Sequence, residues 1–191
     1  MKKVMLFATI LALALSASAQ HTVLFQGLPD TASPSAIPVA YGGLSWSGMD
    51  YVDAREYVWA NGTDAYGAGF FTGSHVMLAF GGGPLCWPEY GGTTIADICE
   101  SRITANGVGP SALSAFRPAS ALVAAGWQDS FSPDSIVVTA YLNGSLVGSK
   151  KYSLSTTAGI INFPAAWGPI TELVIHPSPG SAFVLYSLTM N

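Results

Sequence analysis

Apolar and β-branched residues in this chain recur in short runs, each bounded by turn residues. The runs are Thr22 to Gln26, Gly43 to Trp46, Glu56 to Trp59, His75 to Phe80, Ala121 to Trp127, Ile136 to Leu142, Ser145 to Leu154, Gly159 to Phe163, Ile170 to His176 and Ala182 to Met190. Their length and spacing predict strands rather than helices, and strands so spaced predict an all-β sandwich or barrel. The clearest pattern runs from Ser135 to Leu154. Ile136 to Leu142 is apolar on both faces, Asn143-Gly144 supplies two residues that tolerate positive φ, and Leu146, Tyr152 and Leu154 are expected on one face of the return strand. This predicts a β-hairpin whose first strand is buried on both sides.

Two stretches fit the strand pattern less well. Between Phe116 and Trp127, Pro118, an Ala-rich run and Gly126 also fit a short helix with Pro at its start and Gly past its end. The strand is favoured, because Ser and Val interrupt the Ala run and Trp127 lies beyond the glycine. From the Gly81-Gly82-Gly83-Pro84 break to Asn106 the chain reads as one long connection, with Gly81 to Gly83 as a turn.

The first nineteen residues change the picture of where the chain works. Lys2-Lys3, an apolar run from Val4 to Leu15 and the exit Ala17-Ser18-Ala19 have the form of a secretory signal peptide. Residues 20–191 then form a single β-sandwich domain that is expected to be secreted and extracellular, with no membrane anchor. Cleavage after Ala19 leaves 172 of the 191 residues and removes two of seven basic side chains, so five face eleven acidic ones, a formal charge of −6. That balance argues against nucleic acid and anionic membranes as partners. In the secretory route Cys86 and Cys99 are expected to form a disulfide, stabilising by roughly 3 kcal/mol in the chain-entropy model. Asn61-Gly62-Thr63 and Asn143-Gly144-Ser145 are N-glycosylation sequons, the second at the hairpin tip.

The candidate chemistry is that of a binding surface. Trp46, Tyr51, Tyr57, Trp59, Tyr66, Trp87 and Tyr90 crowd the first half, interleaved with Asp50, Asp53 and Glu56. Sugar rings have flat apolar faces fringed by hydroxyls, so aromatic planes beside acids suit them. Trp46, Trp59, Trp87 and Tyr90 are the candidate ligand-binding residues, with Trp87 and Tyr90 in the Cys-bracketed loop. Asp53, Glu56, Glu89, Glu100 and Glu172 offer no motif for paired-carboxylate hydrolysis. No nucleophile elbow, zinc-protease helix or phosphate loop appears, so no catalytic residue and no cofactor is assigned.

The two ends carry a resemblance. Val23-Leu24-Phe25-Gln26-Gly27-Leu28, then Ile37-Pro38 and Tyr41-Gly42-Gly43-Leu44-Ser45-Trp46, are matched near the other end by Ile170 to Ile175 and Phe183 to Leu188. The chain resembles small fungal secreted proteins of unassigned activity with a jelly-roll, galactose-binding-like, two-sheet antiparallel β-sandwich, similar in layout to non-catalytic carbohydrate-binding modules. That resemblance implies a non-catalytic extracellular protein with a glycan or cell-wall polysaccharide as partner. In such modules acidic residues on the terminal strands can hold calcium. Here Gln26, Gly27 and Tyr186 stand at those positions, and no structural metal is expected there.

Two alternatives remain. Cleavage after Gln20 would make His21 the first residue, and the opening His-Thr-Val looks like that of fungal lytic polysaccharide monooxygenases, whose copper would need a second histidine from His75 or His176. The third reading is a structural or effector protein that binds another protein. The hairpin is expected to be scaffold, with function in the aromatic first half and the Cys86 to Cys99 loop.

Overall fold

The structure, a computed structural model, describes residues 20–31, 33–54, 77–82, 100–105, 113–126, 135–178 and 182–191. Their strands are, in chain order, β1 (His21–Leu24), β2 (Ser35–Ala36), β3 (Leu44–Ser47), β4 (Met49–Asp53), β5 (Met77–Gly82), β6 (Ser101–Ala105), β7 (Pro118–Ala125), β8 (Ser135–Leu142), β9 (Ser145–Ser153), β10 (Gly159–Asn162), β11 (Glu172–Pro177) and β12 (Ala182–Met190). A seven-stranded sheet runs β10-β7-β12-β5-β4-β2, with β1 also on β12, and a five-stranded sheet runs β3-β6-β11-β8-β9. Every pairing is antiparallel. The architecture is the two-sheet antiparallel β-sandwich that the strand pattern predicts.

Alternation fills the space between the sheets. Leu44, Ile103, Leu173, Ile175, Ile136, Val138 and Ala140 from the five-stranded sheet share one buried cluster with Tyr51, Ala79, Ala121, Val123, Ile161, Phe183, Leu185 and Leu188 from the other. A second, smaller cluster of Val52, Ala54, Ala124, Val184 and Tyr186 is buried on the far face of the seven-stranded sheet. Each large aliphatic side chain taken from water contributes about 1.5–3 kcal/mol, so this alternation is the main source of stability.

The central strand β12 has two partners along one edge. Ala182 to Leu185 pair with β5, and Ser187 to Met190 pair with β1, so β5 and β1 lie end to end against it. On its other edge the register to β7 slips between Leu185 and Ser187. Tyr186 is the extra residue at that bulge, fully buried beside the point where β12 changes partner. β1 then leads into a 3-10 turn at Phe25–Gly27 that drops the Phe25 ring into the core.

Three expectations are corrected. Phe116 to Trp127 holds the strand Pro118–Ala125, as favoured, but the stretch from Gly81 to Asn106 is not one connection. Gly81 and Gly82 are strand residues paired with Phe183 and Ala182, and Ser101–Ala105 is a strand paired with both β3 and β11. Glycine is needed at position 81 for close approach: a β-carbon there would overlap Ser101 Oγ and come 2.8 Å from the Phe183 ring. In the hairpin, Asn143 and Gly144 have φ of 51° and 80°, as a type I′ turn requires. However, Ala140 pairs with Gly148 while Tyr141 pairs with Leu146, which leaves Val147 as a bulge. The bulge turns Leu146 to the opposite side from Tyr152, leaving it 65% exposed where Tyr152 is 8%. β8 is an inner strand, as expected, but it is not buried on both faces: Val137 is 37% and Leu142 39% exposed, and β9 is the sheet edge.

The signal segment, residues 1–19, lies outside the described residues. Among the described residues no helix is long and apolar enough to cross a membrane.

Candidate binding face

The register of the five-stranded sheet arranges its outward side chains in rows. One row is Ser45, Thr104, Glu172, Tyr141 and Leu146, and the next is Ser47, Arg102, Val174, Thr139 and Ser149. A third holds His176, Val137 and Lys151. Five strands at their normal spacing make this face roughly 19 Å wide. Val174 is buried at its middle and Val137 is 37% exposed beside it, so an apolar floor is fringed by hydroxyls and charges.

Arg102 organises the polar part. Its Nη1 donates to Glu172 Oε1 at 2.7 Å, across the β6–β11 pair, and its Nη2 donates to Glu100 Oε2. Glu100 Oε1 also lies 4.0 Å from His176 Nδ1. The two carboxylate side chains are 22% and 21% exposed against 43% for the guanidinium. The hydrogen bond to Glu172 is the largest influence raising the Arg102 pKa above its ordinary value; partial burial opposes it, and the Glu100 charge adds to it. Farther along, Thr139 Oγ1 lies 3.1 Å from Ser149 Oγ. Such an arrangement offers hydrogen bonds and apolar contact.

The residues singled out in the sequence divide. Trp59, Trp87 and Tyr90, both cysteines, Asn61 and His75 lie outside the described residues. Trp46 is half-buried: its ring meets Phe25 edge-on at 5.4 Å, and its Nε1 donates to the Tyr41 carbonyl at 2.9 Å. Tyr41 stacks on Phe25 at 5.9 Å and donates its hydroxyl to the Leu24 carbonyl, so Trp46 belongs to a knot that fastens the 3-10 turns to β1 and β3. Burial raises the Tyr41 pKa, against a lowering by its hydrogen bond to the backbone at Gly27. Asn143 is exposed at the hairpin tip, where its N–H donates to Thr171 Oγ1 at 2.8 Å.

The two described histidines are not brought together. His21 pairs with Met190 at one end of β12, whereas His176 follows Ile175, which pairs with Ser101 near Gly81 and the start of β12. They sit on different sheets. Among the described residues no group of three or more His, Cys, Asp and Glu is placed to hold a metal ion.

Sequence reasoning passed over two sets of residues. Glu100 and Glu172 show no motif in the sequence, because Arg102, which joins them, is 70 residues from Glu172 and only strand register reveals it. The aromatic set Tyr152, Phe163 and Trp167 is in the second half of the chain, with rings 6.1 and 6.0 Å apart in sequence order and Lys150 Nζ 4.7 Å above Tyr152. All three rings are buried, so they close the side of the sandwich between β9 and β10 rather than face a ligand.

No family model matches the sequence, and no curated protein matches it. Among solved structures, a DUF4465 family protein from Bacteroides ovatus is similar over 90% of this chain and 98% of its own, with a TM-score of 0.53 and 10% identity. The cleaved adhesin domain of Lys-gingipain aligns over 91% of this chain and 99% of its own, with a TM-score of 0.47 and 9% identity. Neither comparison is to a fungal protein group or a carbohydrate-binding family. The similarity to the Bacteroides protein is one of fold, and it agrees with the β-sandwich described above.

Proposed function

We propose that the protein is a secreted, non-catalytic extracellular binding protein that holds a polysaccharide on the outward face of its five-stranded sheet. One observation carries this reading: that face presents the exposed apolar side chain of Val137, beside buried Val174, next to the fixed carboxylates of Glu100 and Glu172. A pyranose ring has the complementary surface, with apolar C–H faces and an edge of hydroxyl donors. Trp87 and Tyr90, the Cys86–Cys99 disulfide and glycans on Asn61 and Asn143 belong to the same proposal. In it the Asn143 glycan stands at the end of the face, beyond Tyr141.

Sedimentation with insoluble chitin, β-glucan and cellulose tests the reading. Wild-type protein is expected in the pellet with at least one of the three, and Val137→Asp and Trp87→Ala are expected to shift it to the supernatant. Wild type that stays in the supernatant with all three ends the polysaccharide reading. N-terminal sequencing of the exported protein tests secretion, with Gln20 as the expected first residue.

A further inference from the structure

We infer that the ligand of this face is an uncharged polysaccharide, and that Glu172 and Glu100 are the acceptors that set this specificity. The inference rests on the polysaccharide reading above and narrows it.

Charge is the first ground. Among the described residues the Asp, Glu, Lys and Arg side chains on or beside the face are Glu100, Glu172, Arg102 and Lys151, whose formal charges sum to zero. These four groups supply no surplus positive charge to draw a uronate or sulfate chain to the surface.

The second ground is how Arg102 is used. A guanidinium recognises an anion with a fork of parallel N–H groups. Here Nη1 is directed to Glu172 and Nη2 to Glu100, two carboxylates already in place. The remaining N–H groups of Arg102 lie beside those two carboxylates, whose like charge repels an incoming anion.

The third ground is what the carboxylates leave open. Glu172 Oε1 and Glu100 Oε2 are engaged by Arg102, and among the described residues no hydrogen bond is donated to Glu172 Oε2 or Glu100 Oε1. An ionised carboxylate only accepts. A ligand must therefore bring donors, as sugar hydroxyls are; the carboxylate or sulfate groups of an anionic chain add only acceptors, which these carboxylates repel. Arg102 is the positioning residue, because one guanidinium fixes both acceptors.

Affinity electrophoresis of the full exported protein through gels containing a soluble neutral glucan, a neutral mannan, polygalacturonate or chondroitin sulfate tests this. Retardation is expected in a neutral polymer and not in the anionic ones, and its Kd should change by less than about twofold between low and high salt, since no ion pair with the ligand forms. Glu172→Gln replaces the open acceptor with a donor and should weaken neutral-polymer binding about tenfold or more, as loss of a charged hydrogen bond does. Glu100→Gln is the second variant, and circular dichroism and thermal unfolding verify that each is folded. Binding to an anionic polymer alone overturns this inference while leaving the polysaccharide reading standing. Neutral binding that both folded variants retain within twofold overturns the role of the carboxylates. Binding to none of the four overturns both the inference and the reading on which it rests.

Discussion

Gly81 in the seven-stranded sheet faces Ser101 in the five-stranded one so closely that a β-carbon on the glycine would overlap the serine hydroxyl. That hydroxyl is itself fixed, donating to the Gly48 carbonyl at 2.8 Å, and the Phe183 ring closes the other side. Neither neighbour is the free end of a flexible chain. Gly81→Ala is therefore expected to destabilise by about 2–3 kcal/mol, in the range of an overpacked core. Urea denaturation would show a lower midpoint with an unchanged slope.

Gly144→Ala is the contrasting case. At φ of 80° a β-carbon there would meet nothing within 4 Å, so only the backbone opposes the change. The cost should be about 1 kcal/mol, that of a left-handed conformation for a residue with a β-carbon. Equal losses for the two variants in the same titration would refute the distinction.

Ala40 carries a similar backbone load in the native chain. It has φ of 63° and ψ of 18° and closes a turn in which the Tyr41 N–H donates to the Pro38 carbonyl at 3.1 Å. Ala40→Gly relieves the left-handed strain but makes the unfolded chain more mobile, so a net gain of about 0.5 kcal/mol is expected. A lower melting temperature for this variant would contradict it.

Tyr152 sets an alkaline limit. Burial pushes its pKa up to about 12, and its hydroxyl donates to the Asn162 carbonyl at 2.9 Å. The folded state thus holds the phenolic proton more tightly than the unfolded chain does. This contribution is fully present below pH 10 and is lost as pH rises through about 12. Unfolding free energy measured across that window should fall in wild type, and fall less in Tyr152→Phe.

Arg102 should matter little for stability. Its side chain is 43% exposed, and ion pairs so exposed contribute about 0–1 kcal/mol each. Arg102→Met is expected to cost about 1 kcal/mol at low salt and less at high salt, where the repulsion left between Glu100 and Glu172 is screened. Denaturation at two ionic strengths checks the sign of that salt effect. A loss of several kcal/mol that salt does not reduce would make the cluster structural.

Strands with a strong apolar signature were legible in the sequence. Ile136 to Leu142, Leu173 to Ile175 and Phe183 to Leu188 repeat large side chains that only a core accommodates, and the Asn143-Gly144 turn announced its own geometry. β6 and the end of β5 were hidden because they are held by close approach rather than by bulk: Ile103 is the one large apolar residue of β6, and Gly81 has no side chain to show. The bulge at Val147 was equally invisible, since counting alternate residues assumes an unbroken register. The candidate face depends wholly on register. Glu100 and Arg102 sit two residues apart and so look like local surface charge, until β11 brings Glu172 alongside. For Trp46 the sequence shows an aromatic side chain but not that its ring meets Phe25 edge-on and its indole N–H is donated to the Tyr41 carbonyl.

The position of β12 also governs when the protein can fold. Among the described residues, the strand at the centre of the larger sheet is the last of twelve along the chain, and it joins β7, β5 and β1. Val23 must wait for Leu188, 165 residues later, before its backbone has a partner. Contacts so distant in sequence slow folding, because the loop must close before the pairing rewards it. A chain built in this way completes its larger sheet only after the last described strand is free.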